Sequence, residues 1–327
     1  MLNLPHPFTM ITTDLKKAKK ALQQNNIVAI PTETVYGLAG NAFSDVAIKK
    51  IFTLKKRPLY NPLIIHIKSA EFLPEVAIDI PKIAIQLAKE FWPGPLTLVL
   101  KKQPHISDLV TAGKNTVAIR VPNHPLTLEL LNQLEFPVAA PSANPFGSIS
   151  PTTAHHVHTY FKDDLAIILD GGACEKGIES TIIGFENKLP IVYRLGSLSI
   201  EHIEAKIGNV VAKTHSDDNS PVAPGMLSRH YAPATATFLT NNVEQLIQSH
   251  PNKKIGLLLF QNNVTQTVEH QEILSKSGNL EEAAKNLYAA MHQLDQLQLD
   301  MIIAERLPDI GLGKTMNDKL QRATKKN

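Results

Sequence analysis

Apolar residues along this chain recur in two periods, and the way they alternate outlines the fold. Short runs rich in β-branched residues, at 27–30 and 63–67, have the length and composition of buried strands. Runs at 96–100, 117–121, 138–140, 166–169, 180–183 and 190–194 predict further strands. Helical patterns lie between them: one beginning near Asp14, one over 45–54 with Ser44 placed to cap it, and others over 81–91, 125–134 and 199–207. Another helix is expected after Ser150, with Pro151 at its first position. Pro58 stops the 45–54 helix, and Trp92-Pro93-Gly94-Pro95 ends the next one in a stiff turn. Helices and apolar strands mixed in this order indicate an α/β layer structure, a large twisted mixed sheet with flanking helices.

The pattern breaks over 209–234, where polar residues lead into Pro221, Pro224, Gly225 and Pro233, the composition of a linker. It then restarts on a smaller scale. A strand is expected at 254–260, a helix over 280–297, a strand at 301–305 and a last helix over 316–324. Leu280, Ala284, Leu287, Met291 and Leu294 share one face of the long helix, and Asn279 with Glu282 can form its capping box. The expected organisation is a domain over 1–208, a linker over 209–234 and a smaller α/β, Rossmann-like domain over 235–327.

Composition changes this picture little. A chain of 327 residues, 43% hydrophobic and 19% charged, suits two ordinary globular domains with ample core. The net charge of +3 is too small to mark a dedicated nucleic-acid binder. Cys174, the single cysteine, excludes an intrachain disulfide and a multi-cysteine metal site. No apolar run approaches the roughly 20 residues that span a bilayer. The N-terminal stretch lacks the apolar core of a secretory signal, so a cytoplasmic location is expected.

Three motifs suggest chemistry that their surroundings do not support. Gly311-Leu-Gly313-Lys314-Thr315 resembles a phosphate loop, but the fingerprint needs glycine at 308 and this chain has Pro308. His155, His156 and His158 could suggest a metal, but only His155 and His158 share a helical face, and no carboxylate or cysteine accompanies them at ligand spacing. Neither Ser142 nor Ser180 lies in the G-x-S-x-G elbow of a serine hydrolase.

The informative stretch runs from 27 to 68. Thr32, Thr34 and Tyr36 with Glu33 leave the end of one strand, while Lys55, Lys56 and Arg57 leave the end of the following helix. Hydroxyls beside cations suit a substrate with a zwitterionic part and a phosphate part; the alternative is a cap-rich loop and a solvated helix end. Arg120 lies inside an apolar run, so it either points away from the core or meets an anion. Lys55, Arg57 and Arg194 could together hold a triphosphate, since arginine matches phosphate bidentately and lysine adds a point charge.

In order, Pro31-Thr-Glu-Thr-Val-Tyr-Gly-Leu38, Lys55-x-Arg57-Pro58, Asn61-Pro62-Leu63-Ile64, Ser142-x-Asn144 and Arg229-His-Tyr-Ala-Pro233 resemble the L-threonylcarbamoyladenylate synthase family in its two-domain form. The resemblance implies a nucleotidyltransferase that makes threonylcarbamoyl-AMP and pyrophosphate from ATP, L-threonine and bicarbonate. ATP would enter as its Mg2+ complex, with no tightly bound cofactor and no metal held by side chains. The product would pass to the proteins that modify tRNA beside the anticodon, with little direct RNA binding. By the family's motifs, Thr34, His66, Arg120 and Ser180 would hold threonine, with Ala140 giving a backbone contact. Lys55, Arg57, Asn61, Thr116, Ser142, Asn144, Arg194 and Tyr231 would hold the nucleotide, Lys55 and Arg57 acting in catalysis. The Ser-Pro-Gly-Met common in the family's linker is Ala223-Pro-Gly-Met226 here, which puts one hydroxyl contact, but not the resemblance, in question. A carbamoyl-adenylate enzyme with another acceptor, or a non-catalytic RNA-binding module, remains an alternative.

Tyr231 is an aromatic residue with a polar tip in a stretch lacking its own core. It either anchors the linker to the first domain or closes over the nucleotide as part of a lid that the second domain holds. On the lid reading, truncation after Gly208 should nearly abolish synthesis, and deletion after Ala234 should do less damage.

Overall fold

A computed structural model describes residues 9–187, 189–214 and 223–324. Pro221 of the expected linker lies outside the described residues. The large sheet contains β1 (Met10–Thr12), β2 (Val28–Ile30), β3 (Gly37–Asn41), β4 (Ile64–His66), β5 (Ala77–Ile78), β6 (Leu96–Lys102), β7 (Thr116–Arg120), β8 (Val138–Ala139), β9 (Ile167–Leu169), β10 (Thr181–Glu186), β11 (Leu189–Arg194) and β12 (Val211–Ala212). Their spatial order is β1-β9-β2-β3-β8-β4-β7-β6-β10-β11-β12, with β5 paired to β6 off this path. Both parallel and antiparallel neighbours occur, as expected of a mixed sheet.

Two register relations position the site. β4 and β7 run parallel with Ile64 opposite Ala118 and His66 opposite Arg120. Since alternate side chains share a face, these four lie together on one side of the sheet. β10 lies between β6 and β11, with Ile182 opposite both Thr97 and Arg194. That face is apolar in its middle, where Ile64, Val99, Ala118, Ile182, Ile191 and Tyr193 pack together. Ala223 and Met226 complete the same cluster, so the linker lies across the sheet.

The helix Asp45–Lys55 starts at Ser44, whose hydroxyl accepts from the Ala47 amide, 3.4 Å. It ends when Lys56 turns left-handed, φ 51°, two residues before Pro58 could stop it. This turn sends Lys55 and Arg57 inward, while Lys56 stays exposed. The pair is therefore no solvated helix end.

Two local expectations need correction. Pro151 does not open a helix; Ala154–Phe161 starts three residues later, capped by the Thr153 hydroxyl. The Pro151 carbonyl instead accepts from the Tyr36 amide, 2.8 Å, which ties this segment to the turn after β2. Asn279 does cap the helix Leu280–Asp295. Glu282 binds the hydroxyls of Ser275 and Ser277 at 2.5 and 2.9 Å, so the reciprocal half of the capping box does not form.

The C-terminal sheet holds β13 (Thr237–Thr240), β14 (Ile255–Leu259), β15 (His270–Ile273) and β16 (Met301–Glu305), all parallel in the order β13-β16-β14-β15. The helices Val243–Gln248, Leu280–Asp295 and Leu312–Ala323 complete this smaller α/β unit. Its core includes Val35, Ile149, Ile178 and Tyr231 from earlier in the chain, so both units share apolar packing. The glycine-rich turn at 311–313 serves this docking. Lys314 pairs with Glu201 at 3.0 Å and Thr315 donates to the Gly196 carbonyl, 3.1 Å. A side chain at Gly313 would meet the Pro308 carbonyl at 1.9 Å, which requires glycine there.

Candidate active site

A cleft with a cavity of about 50 Å3, partly open to solvent, lies between the ends of β4, β7 and β10, the 140–142 turn and the linker. Thr34, His66, Arg120, Ala140 and Ser180 line it, as do Arg57, Ser142, Arg194 and Tyr231. Residues far apart in sequence thus meet in two groups.

One group is built around Arg120. The anion it meets is internal: its Nη2 lies 2.6 Å from Glu33 Oε1, both side chains buried. Its Nη1 donates to the Thr34 hydroxyl at 2.9 Å and its Nε to the Gly94 carbonyl at 3.2 Å. Glu33 is itself fixed by the Asn123 amide, 3.0 Å from Oε2. The polar turn after β2 therefore holds the guanidinium rigidly at the cleft wall. Burial, followed by repulsion from Arg120, pushes the His66 pKa down to about 3, so the imidazole is neutral. The Ser180 hydroxyl lies 2.7 Å from that of Thr97 on the neighbouring strand.

The second group is cationic. Arg194 donates to the Ser180 carbonyl and to the Pro224 carbonyl, fastening the linker to β10. Gly225 then passes so close that a side chain there would meet Tyr231 Oη at 2.7 Å and Arg194 Cδ at 2.9 Å. Its φ of 78° also favours glycine. Burial and the nearby Arg194 press the Arg57 pKa down to about 9, which still leaves it charged at neutral pH. Buried polar atoms without partners cluster here: Asn61 Nδ2, Asn144 Oδ1 and Tyr231 Oη. Such groups are costly in a closed interior and ask for a ligand.

Four expected residues do not line the cleft. Lys55 is buried, and its ammonium donates to the carbonyls of Ser142, at 2.6 Å, and Asn144. It braces the 142–144 turn from behind, with its pKa lowered by burial and by Arg57. Two of its three N–H donors are taken by these carbonyls, and it lies outside the cleft lining. Asn61 accepts from Arg57 and orients it, and Asn144 anchors its own turn to the carbonyls of Pro145 and Ser148. Thr116 opens β7 on the face shared with Ala118 and Arg120, outside the lining.

The cleft also contains residues the sequence did not single out. Glu179 lines it, accepting from Ser150 Oγ at 2.6 Å and Tyr288 Oη at 2.8 Å, with Lys319 Nζ 3.0 Å away. Burial alone would raise its carboxyl, but Lys319 and Arg194, with the hydrogen bonds from Ser150 and Lys319, bring it down to about 2. Burial likewise disfavours the Lys319 charge, yet Glu179 and Tyr231 outweigh it and its pKa rises. Tyr288 stacks on Tyr231 at 5.8 Å, and Lys319 Nζ lies 4.4 Å from the centre of the Tyr231 ring. Arg322 Nη1 donates to the Met226 carbonyl at 3.0 Å and the Leu227 carbonyl at 2.5 Å. The C-terminal unit thus grips the linker. The one sequence signal for Glu179 was its place directly before Ser180; Tyr288, Lys319 and Arg322 had none, since their partners lie about a hundred or more residues away in the chain.

Known proteins match along the whole of this framework. The Sua5–YciO–YrdC family, described as telomere recombination, matches residues 20–196, and the threonylcarbamoyl-AMP synthase C-terminal domain matches 198–324. A threonylcarbamoyl-AMP synthase of Pyrococcus abyssi is 40% identical over 316 residues, 93% of this chain and 92% of that protein. One of Bacillus subtilis is 40% identical over 319 residues, covering 94% and 92%. The crystal structure of P. abyssi Sua5 complexed with L-threonine superposes with a TM-score of 0.89 at 39% identity, covering 95% of this chain and 94% of that one.

Proposed function

This chain belongs to the threonylcarbamoyl-AMP synthase family, and from that premise we propose how its cleft makes the adenylate. The protein forms L-threonylcarbamoyladenylate from ATP and L-threonine, the first step of threonylcarbamoyladenosine modification of tRNA. The observation that carries the reading is the meeting of a rigid hydroxyl-and-guanidinium wall with two buried arginines in one cleft.

Threonine lies at the Arg120 end, against Thr34, His66, Ser180 and the backbone of Ala140. Neutral His66 offers a hydrogen bond without repelling an ammonium. Bicarbonate supplies carbon dioxide, which the threonine amine takes up as a carbamate with loss of a proton. A carbamate oxygen attacks the α-phosphorus, the bond to the bridging oxygen breaks, and pyrophosphate leaves. Arg57 and Arg194 neutralise the charge that develops on the leaving group, and Ser142 and Tyr231 orient the nucleotide, while Asn61 acts by orienting Arg57 and Asn144 by anchoring the turn that carries Ser142. Lys55 acts indirectly, by holding the turn that carries Ser142 and Asn144. ATP enters as its Mg2+ complex, the metal arriving with the substrate.

Residues 1–208 form the catalytic domain, 209–234 a linker and lid, and 235–327 the domain that holds the lid. Closure excludes water from a labile carbamate and strengthens the charge interactions around the phosphates. The product passes to the proteins that transfer threonylcarbamoyl to tRNA. No helix among the described residues is long and apolar enough to cross a membrane. A cytoplasmic location is part of this proposal. Pyrophosphate release from ATP should require both threonine and bicarbonate. Equal release with serine, or without an amino acid, would overturn the assignment.

A further inference from the structure

We infer that Lys319 and Glu179 form a positioning pair for nucleotide binding that acts through Tyr231; this rests on the cleft being an ATP site. One ammonium serves two groups at once. Lys319 Nζ is 3.0 Å from Glu179 Oε2 and 4.4 Å from the centre of the Tyr231 ring, with 1% and 7% of the Lys319 and Glu179 side chains exposed. Tyr288 does the same: its hydroxyl donates to Glu179 and its ring stacks on Tyr231. Each C-terminal group that satisfies the Glu179 carboxylate therefore also holds the Tyr231 ring.

Tyr231 needs such support. Its φ of 63° is a conformation an aromatic L-residue holds only when its surroundings impose it. Its hydroxyl is buried and has no hydrogen-bond partner among the described residues, so ring contacts fix the side chain and the polar tip is left for a ligand. The pair also has an electrostatic part. Glu179 lines the cleft that would receive a polyanion, and an ammonium at 3.0 Å cancels its charge. Glu179 and Lys319 are positioning residues. Lys319 touches the lid residue, and Glu179 holds Lys319.

The full chain carrying Lys319→Met is compared with the double variant Glu179→Gln/Lys319→Met. Lys319→Met leaves a carboxylate buried without its cation, which destabilises the fold strongly. The double variant removes that charge, so its thermal midpoint should return toward wild type. Its ATP affinity should not return, because the Tyr231 ring has still lost its ammonium. Expected in the double variant are a KM for ATP raised roughly tenfold and a KM for threonine within about threefold of wild type. Wild-type ATP affinity in the folded double variant, or equal loss for both substrates, would overturn the inference and leave the pair a structural bridge. Calorimetric ATP binding on the same proteins reports on the pair even where wild-type protein makes no pyrophosphate with threonine, the result that would instead remove the functional reading.

Discussion

Arg57 turns back on Asn61: its Nε donates to the Asn61 carbonyl at 3.1 Å and its Nη2 to the side-chain Oδ1 at 2.7 Å. The same Nη2 also donates to the Pro62 carbonyl, 2.7 Å. None of these bonds uses Nη1. The loop after the helix Asp45–Lys55 thus presents a guanidinium already fixed in direction, which lowers the ordering cost of meeting a phosphate. Arg57→Ala should cost roughly 2–4 kcal/mol of transition-state stabilisation, read as a fall in kcat/KM for pyrophosphate release. Near-normal turnover would mean that this cation only closes its own loop.

Lys314 gives the opposite expectation. Its ammonium is on the surface against Glu201, and its glycine-rich turn packs on Pro308. Lys314→Ala should leave ATP affinity within about threefold of wild type. A tenfold loss, about 1.4 kcal/mol, would restore the phosphate-loop reading.

Acid should unfold this protein in two stages. Burial, ahead of every other cause, holds both His66 and His230 down at about 3, against an ordinary 6.5. Each contributes stability that is complete above 6.5 and lost as pH falls from there toward 3, because only the unfolded chain takes up the proton. Glu179, at about 2 against 4.5, adds a second loss between those values. Urea midpoints should decline below pH 6.5, by up to about 1.4 kcal/mol per pH unit for each histidine. His230→Gln should flatten that first limb; an unchanged slope would refute its source.

Deletion after Ala234 now carries a different expectation from the milder effect read from the sequence. Tyr231 would survive, but Tyr288, Lys319 and the Arg322 bonds to Met226 and Leu227 would be lost. Synthesis should fall as far as with truncation after Gly208. Arg322→Ala in the full chain is the gentler test and should raise the KM for ATP without lowering the kcat by a similar factor.

Most of the layered fold was legible because buried strands such as β4 and β7 are short apolar runs between breakers. β3 was not. Its Gly-Leu-Ala-Gly-Asn has two glycines in five residues and no β-branched run, yet it pairs between β2 and β8, where Gly40 lies against Ile51 and Ala47 and larger residues have no room. The ordered motifs pointed to both groups of site residues. They could not indicate that Lys55 would be occupied by carbonyls, since the turn it braces is 87 residues away. Glu179 and Lys319 were hidden for the same reason: a buried pair has no local pattern, and each residue alone looks like a solvated charge.

The helix Leu312–Ala323 carries both Lys319, against Tyr231, and Arg322, against the linker carbonyls. A ribosome releases the chain from its N-terminus, and domains fold as they emerge. The large sheet, with Arg57, Arg120 and Arg194 in place, can therefore assemble well before the helix that steadies the lid has been made. Throughout that interval a nascent chain has the cations to attract ATP but not the closure to protect a carbamate. On the lid reading competence arrives with the last helix, and an unfinished or C-terminally clipped chain should be folded over most of its length and idle.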